Sequence, residues 1–144
     1  MARTLTTANA VLTLSCPTLD IPAVQIQGFA TDDAFDFPTV KPVEAVIGVD
    51  KQKSAGFVAF LVPFKFMLQA NSLSIDVMET IEQGIEQMAE DVEILGSLEI
   101  PAVGKLWTML EGSLTSFKPG PQGKKLLGPQ DYEITWGQVI PAQV

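Results

Sequence analysis

The sequence contains no histidine, a single cysteine and only nine basic side chains in 144 residues. Without histidine, a Ser–His–Asp or Cys–His catalytic arrangement is excluded, and so are the usual zinc sites. Cys16 has no partner for an internal disulfide, so the fold does not depend on oxidation. It stands beside Pro17 with no basic neighbour to lower its pKa, which reads as inert packing. Nine basic against seventeen acidic side chains leave a net charge of −8. That balance argues against a nucleic-acid binder, which needs Lys and Arg to displace counterions from phosphate. It leaves room for a protein that handles DNA by repelling it. Long apolar runs are missing too: the longest, 56–68, is too short to span a bilayer and contains Pro63 and Lys65. The first sixteen residues are threonine-rich, with Arg3 the one base, and lack the apolar stretch of a secretion signal. The expectation is a soluble protein made in the cytoplasm, with no membrane partner.

Motifs for cofactors are equally scarce. The segment PGPQGKK (119–125) fails the P-loop spacing, with Lys125 where Ser or Thr should hold magnesium, and reads as a surface loop. No GxGxxG follows a strand and opens a helix. Asp32, Asp33 and Asp36 cluster in one loop but lack the spacing of a calcium loop, so they read as solvated acids. No catalytic, metal-binding or cofactor-binding residue is assigned, and no enzyme is expected. Charged residues are only 18% of a chain that is 47% apolar. A surface with so few charges hints that neighbours cover part of it.

What the chain does contain is β patterning around one helix. Residues 9–14 and 21–30 read as extended, with Val24, Ile26 and Gly28 on one face and Gln25 and Gln27 on the other. Residues 31–42 have no sustained period and read as a long loop or an irregular hairpin tip. Residues 43–49 and 57–69 read as the arms of a hairpin across the turn DKQKSAG. In the second arm Val58, Phe60, Val62, Phe64, Phe66 and Leu68 are expected to face a core. The spacing of Ile75, Met78, Ile81, Ile85 and Met88 predicts a helix over 74–91, with Ser74 as its N-cap and a solvated face of Glu82, Glu86 and Glu90. Strands follow at 93–100, at 104–117 (Leu106, Leu110 and Leu114 on one side) and at 131–140. In the last, Tyr132, Ile134 and Trp136 oppose Asp131, Glu133 and Thr135. Trp107 and Trp136 read as core or interface anchors. The sum is one mainly β, α+β domain over 1–144: two packed antiparallel sheets, a sandwich or partly closed barrel, with one flanking helix.

Three stretches in this order resemble the tail-tube proteins of contractile-tailed bacteriophages: QIQGFATDDAF (25–35), VIGVDKQKSAGFVAF (46–60) and FMLQANSLSIDVMETI (66–81). The later strands agree in pattern, while the DKQKS turn differs from the glycine-rich turn expected there. The resemblance extends to the inner tubes of R-type pyocins and type VI secretion systems. It implies hexameric rings stacked into a virion tail tube that conducts DNA from capsid to host, with strands of six subunits joined in one barrel. The implied partners are other copies of the chain, a tail sheath protein, a tape measure protein and baseplate or terminator proteins. DNA would pass without specific binding, since six copies of −8 put −48 on each ring. The alternative is another virion component, such as a baseplate, cap or decoration protein; a small-molecule binding module or enzyme is the remaining reading. Candidates for the lumen or interface face are Gln25, Gln27, Glu44, Lys65, Gln69, Lys105, Glu111, Asp131 and Glu133. Candidates for contact between rings are Asp32, Asp33, Phe35, Asp36 and Phe37.

Overall fold

The computed structural model describes residues 10–29, 35–57, 59–123 and 125–143. Among these the strands are β1 (Val11–Cys16), β2 (Ile21–Ile26), β3 (Phe35–Asp36), β4 (Val43–Ile47), β5 (Lys53–Phe57), β6 (Val62–Leu68), β7 (Ile94–Ile100), β8 (Lys105–Phe117) and β9 (Gln130–Gln143). One helix, α1, spans Ile75–Met88. Seven strands form an antiparallel sheet in the order β2-β1-β7-β8-β9-β6-β3, and β4 and β5 form a separate two-stranded sheet. The mainly β, α+β class with one flanking helix is as the sequence patterning predicts.

Period-two alternation buries one face of the large sheet. Leu12, Leu14 and Cys16 of β1, Phe64, Phe66 and Leu68 of β6, and Tyr132, Ile134 and Trp136 of β9 are all essentially inaccessible. Phe64, Phe66 and Tyr132 stack across β6 and β9 with centroids 5.8 and 5.5 Å apart. Each such aromatic contributes roughly 1.5–3 kcal/mol by leaving water. Trp136 fits because two neighbours have no side chain. A Cβ on Gly112 would lie 2.4 Å from the indole, and one on Gly96 3.0 Å from it.

The sheet curls far enough for its two ends to meet. Beyond β2 the chain passes Gly28, whose carbonyl accepts from Gln69 N at 2.8 Å, and Phe29 bridges to Leu68 of β6. Two serines complete this seam: Gln27 N donates to Ser74 Oγ at 2.8 Å, and Ser72 Oγ donates to the Gln27 carbonyl. The result is a partly closed barrel. α1 supplies Ile75, Met78 and Ile81 to the core, and Gly84 admits Leu19, whose methyl would lie 2.5 Å from a Cβ there.

Four expectations need correction. Ser74 makes no cap bond to its own helix, because its hydroxyl is committed to Gln27. The apolar stripe of the helix ends early, with Met88 exposed and Ala89 in the left-handed region at φ 53°. The arm 57–69 is not one strand: β5 pairs with β4, while β6 pairs with β9 and β3. Its alternation continues across a change of sheet, so Phe60 is exposed while Phe64 is buried; Val58 lies outside the described residues. Finally, Leu106, Leu110 and Leu114 do not share a face. Glu111 has φ 56°, and between the pairs Gly96–Met109 and Ile94–Gly112 the single Leu95 of β7 opposes Leu110 and Glu111 of β8. This bulge reverses the alternation, so Trp107 and Met109 before it join Leu114 after it on the core side.

Candidate assembly surfaces

The outer face of the large sheet is built by the residues that alternate with the core. Backbone register places Gln25, Thr13, Ser97 and Thr108 side by side across β2, β1, β7 and β8. A second polar group lies across β6, β9 and β8. Lys65 sits opposite Glu133, with Nζ 3.8 Å from a carboxylate oxygen, and Thr115 Oγ1 lies 2.9 Å from Thr135 Oγ1. This surface is amide, hydroxyl and carboxylate interrupted by Leu95, Leu106 and Leu110. The exposed Lys65–Glu133 pair adds at most about 1 kcal/mol.

Of the nine candidates for a lumen or interface face, Gln25, Lys65, Asp131 and Glu133 lie on this outer face. Gln27 and Gln69 prolong it beyond the ends of β2 and β6. Glu111 joins them through the bulge and leans over Gly137, where a Cβ would meet its carboxylate at 2.5 Å. The other two stand apart. Glu44 is on the β4–β5 ribbon, and Lys105 is exposed at the far end of β8.

Of the five loop candidates, Asp32 and Asp33 lie outside the described residues. Phe35 and Asp36 form β3 and pair with Phe66 and Lys65 of β6. Phe37 is half-buried, its ring 4.6 Å from Phe64 and 6.4 Å from Trp107. Both phenylalanines therefore anchor the loop's trailing end to the core, and Asp36 remains exposed.

Two apolar surfaces escaped the sequence patterning, although the second lies in a segment read as a surface loop. In the β4–β5 ribbon every strand residue is exposed, including Val43, Val46, Ile47 (77%) and Phe57 (76%), and Val49 in its turn is fully exposed. The turn itself is well made: Gly48 N donates to Gln52 O at 3.0 Å, and the Asp50 carboxylate accepts from Gln52 N at 3.2 Å. The ribbon is thus ordered by its own bonds and leaves its apolar side chains exposed among the described residues. The signal in the sequence was VEAVIGV, where apolar residues fall on both faces of one strand. The second surface is the loop between β8 and β9, where Leu126 (84%) and Leu127 (61%) are exposed beside Lys125. Adjacent leucines amid glycine, proline and lysine were its signal.

Glu82 also departs from expectation, since the patterning places it on a solvated helix face. It is half-buried, and its Oε1 is sequestered without a hydrogen-bond partner among the described residues. Burial, and then the Glu79 carboxylate beside it, push its pKa up to about 6. Burial together with Glu82 and Glu79 raises the pKa of Tyr132 on β9 as well. Burial raises that of Cys16, in keeping with an inert core thiol. No helix among the described residues is long and apolar enough to cross a membrane. Among the same residues no group of three or more His, Cys, Asp or Glu is placed to hold a metal ion.

Solved structures share this fold. A chain of the anti-feeding prophage (AFP) baseplate, from a six-fold symmetrised cryo-EM structure, matches with TM-score 0.63 and 10% identity, covering 100% of this chain and 99% of that one. A chain of the sheath–tube complex of the extracellular contractile injection system PVC, in its extended state, matches with TM-score 0.59 and 11% identity, covering 98% and 93%. A chain of the AFP tube-terminating cap matches with TM-score 0.56 and 11% identity, covering 100% and 94%. No curated protein matches in sequence. A family model, described as tail fiber protein gp32, matches residues 3–140. The chain belongs to this tail fiber protein gp32 family, and is thus a structural tail protein and not an enzyme.

Proposed function

We propose that the chain is a ring-building subunit of a contractile phage tail, with six copies per ring and rings stacked into the tube through which DNA leaves the capsid. The observation that carries this reading is the β4–β5 ribbon, ordered by its own hydrogen bonds yet apolar and uncovered in the single chain. A ribbon of two strands is marginal alone, and neighbours that cover it complete the fold. The large sheet supports the same reading, because β2 and β3 stand at its two edges among the described residues, where a neighbouring subunit can add strands. Its outer face offers hydroxyls, amides and carboxylates, a surface along which DNA slides without binding. In this reading the partners are further copies of the chain, a tail sheath protein, a tape measure protein and baseplate or terminator proteins. The place of action is the tail of the virion.

A second reading is a single ring at the end of a tube, in the baseplate or cap. Its support is the likeness in fold to the AFP baseplate and cap chains, which extends over 100% of this chain in each case. Negative-stain electron microscopy of the purified protein across a concentration series tests both. Hollow tubes that lengthen with concentration are expected for a tube subunit, and isolated rings for a baseplate or cap subunit. Small compact particles at every concentration would refute both.

A further inference from the structure

The loop between β8 and β9 is held firmly at its base. Lys118 N donates to Asp131 O at 3.0 Å, Gln130 Nε2 to Lys118 O at 3.2 Å, and Gly128 N to Gln122 O at 3.1 Å. This neck presents Leu126 and Leu127 to water, 84% and 61% exposed. Leu73, 87% exposed in the turn after β6, adds to the apolar surface at the same end, because Leu68 of β6 is paired with Gln130 of β9. Fixed, neighbouring and uncovered leucines mark a contact surface.

Charge says what the contact is with. The loop, residues 118–129, carries three lysines and no acid. Residues 70–104, which contain α1, carry eight acids and no base. Among the described residues Lys118 and Lys125 have no carboxylate within ion-pair distance; Lys65–Glu133 is the pair formed. A chain of net charge −8 is repelled by anionic lipid and by nucleic acid, whereas the acidic α1 surface of another copy is opposite in sign to the loop and complements it.

We propose that the β8–β9 loop of one copy docks on the α1 surface of a second, with Leu126 and Leu127 buried against it and Lys125 facing Glu86 and Glu90. Loop and helix are different surfaces, so the contact is head-to-tail and generates rings or open filaments, not closed pairs. The inference rests on the ring-building reading and names the contact that drives it.

The test is sedimentation of the full chain across a concentration series, for the wild type, for Leu126→Ser/Leu127→Ser, for Lys125→Glu, and for Lys125→Glu combined with Glu86→Lys and Glu90→Lys. Circular dichroism checks that each variant is folded. The proposal expects the double-serine variant to need about tenfold or more concentration to associate. It expects Lys125→Glu to weaken association and the combined reversal to restore it. A wild type that associates, with loop variants that associate equally well, would overturn the proposal and leave the ring-building reading standing. A wild type that stays monomeric throughout would overturn both. Leucine-dependent pelleting with phosphatidylserine vesicles, without self-association, would assign the loop to a membrane surface and also overturn it.

Discussion

At the residue scale, two positions show the core working close to its limits. Trp136 is accommodated by the missing side chain of Gly112, where a Cβ would stand 2.4 Å from the ring. Gly112→Ala is therefore expected to destabilise the fold by about 1–3 kcal/mol, seen as a lower denaturation midpoint in urea. Glu82 presents the opposite case, a charge held where burial and Glu79 disfavour it. Its folded-state pKa lies at about 6, above the 4.5 of a free glutamate. The folded chain thus binds more protons than the unfolded one between those values, and stability falls as pH rises through that window. Below it the penalty is absent, and above it the penalty is complete. Glu82→Gln is expected to stabilise the protein at pH 7.5 by up to about 2 kcal/mol, and by little at pH 4. Thermal unfolding of both forms at the two pH values checks the sign. A Gln substitution that destabilised at pH 7.5 would show that the carboxylate makes a favourable contact.

At the element scale, the Ser74 hydroxyl binds the chain just beyond β2 and does not cap its own helix. Ser74→Ala should cost about 1 kcal/mol, with faster amide hydrogen exchange at residues 27–29 and little change in α1. The β4–β5 ribbon supplies a contrasting expectation. Val46→Lys with Ile47→Lys removes exposed side chains, so the free subunit should change in stability by no more than about 0.5 kcal/mol. If the ribbon is an assembly surface, the same variant will not form higher particles.

Elements also show how far the sequence could be read. α1 was legible because Ile75, Met78 and Ile81 recur at the helical period on a face that really is buried. β1, β6 and β9 were legible for the same reason at period two. What pattern could not show was a change of partner without a change of period, as between β5 and β6. Nor could it show a parity reversal such as the bulge at Glu111, which depends on the backbone of β7 alongside. The two uncovered surfaces were hidden because exposure is set by the whole fold. Isoleucine and phenylalanine in a strand read as core until the sheet they should cover proves to be elsewhere.

At the scale of the molecule, the chain is a curled sheet sealed along one seam, with an acidic helix, an apolar ribbon and a basic, leucine-tipped loop on its exterior. The segregation of charge has a consequence for solution conditions. Contacts between a basic loop and an acidic helix weaken as salt shortens the Debye length from about 10 Å at 0.1 M to about 3 Å at 1 M. Covered apolar ribbons do not weaken in this way. Assembly is accordingly expected to become less favourable with sodium chloride but to persist in part, as light scattering across a salt series would show.

The most direct test of the central claim counts the copies. Native mass spectrometry of the purified 15.5 kDa chain, over a concentration range, should show six-copy particles and multiples of six, with few intermediate species. Monomers alone at every concentration would contradict the claim that this chain is a ring-building subunit whose surfaces are completed by its own copies.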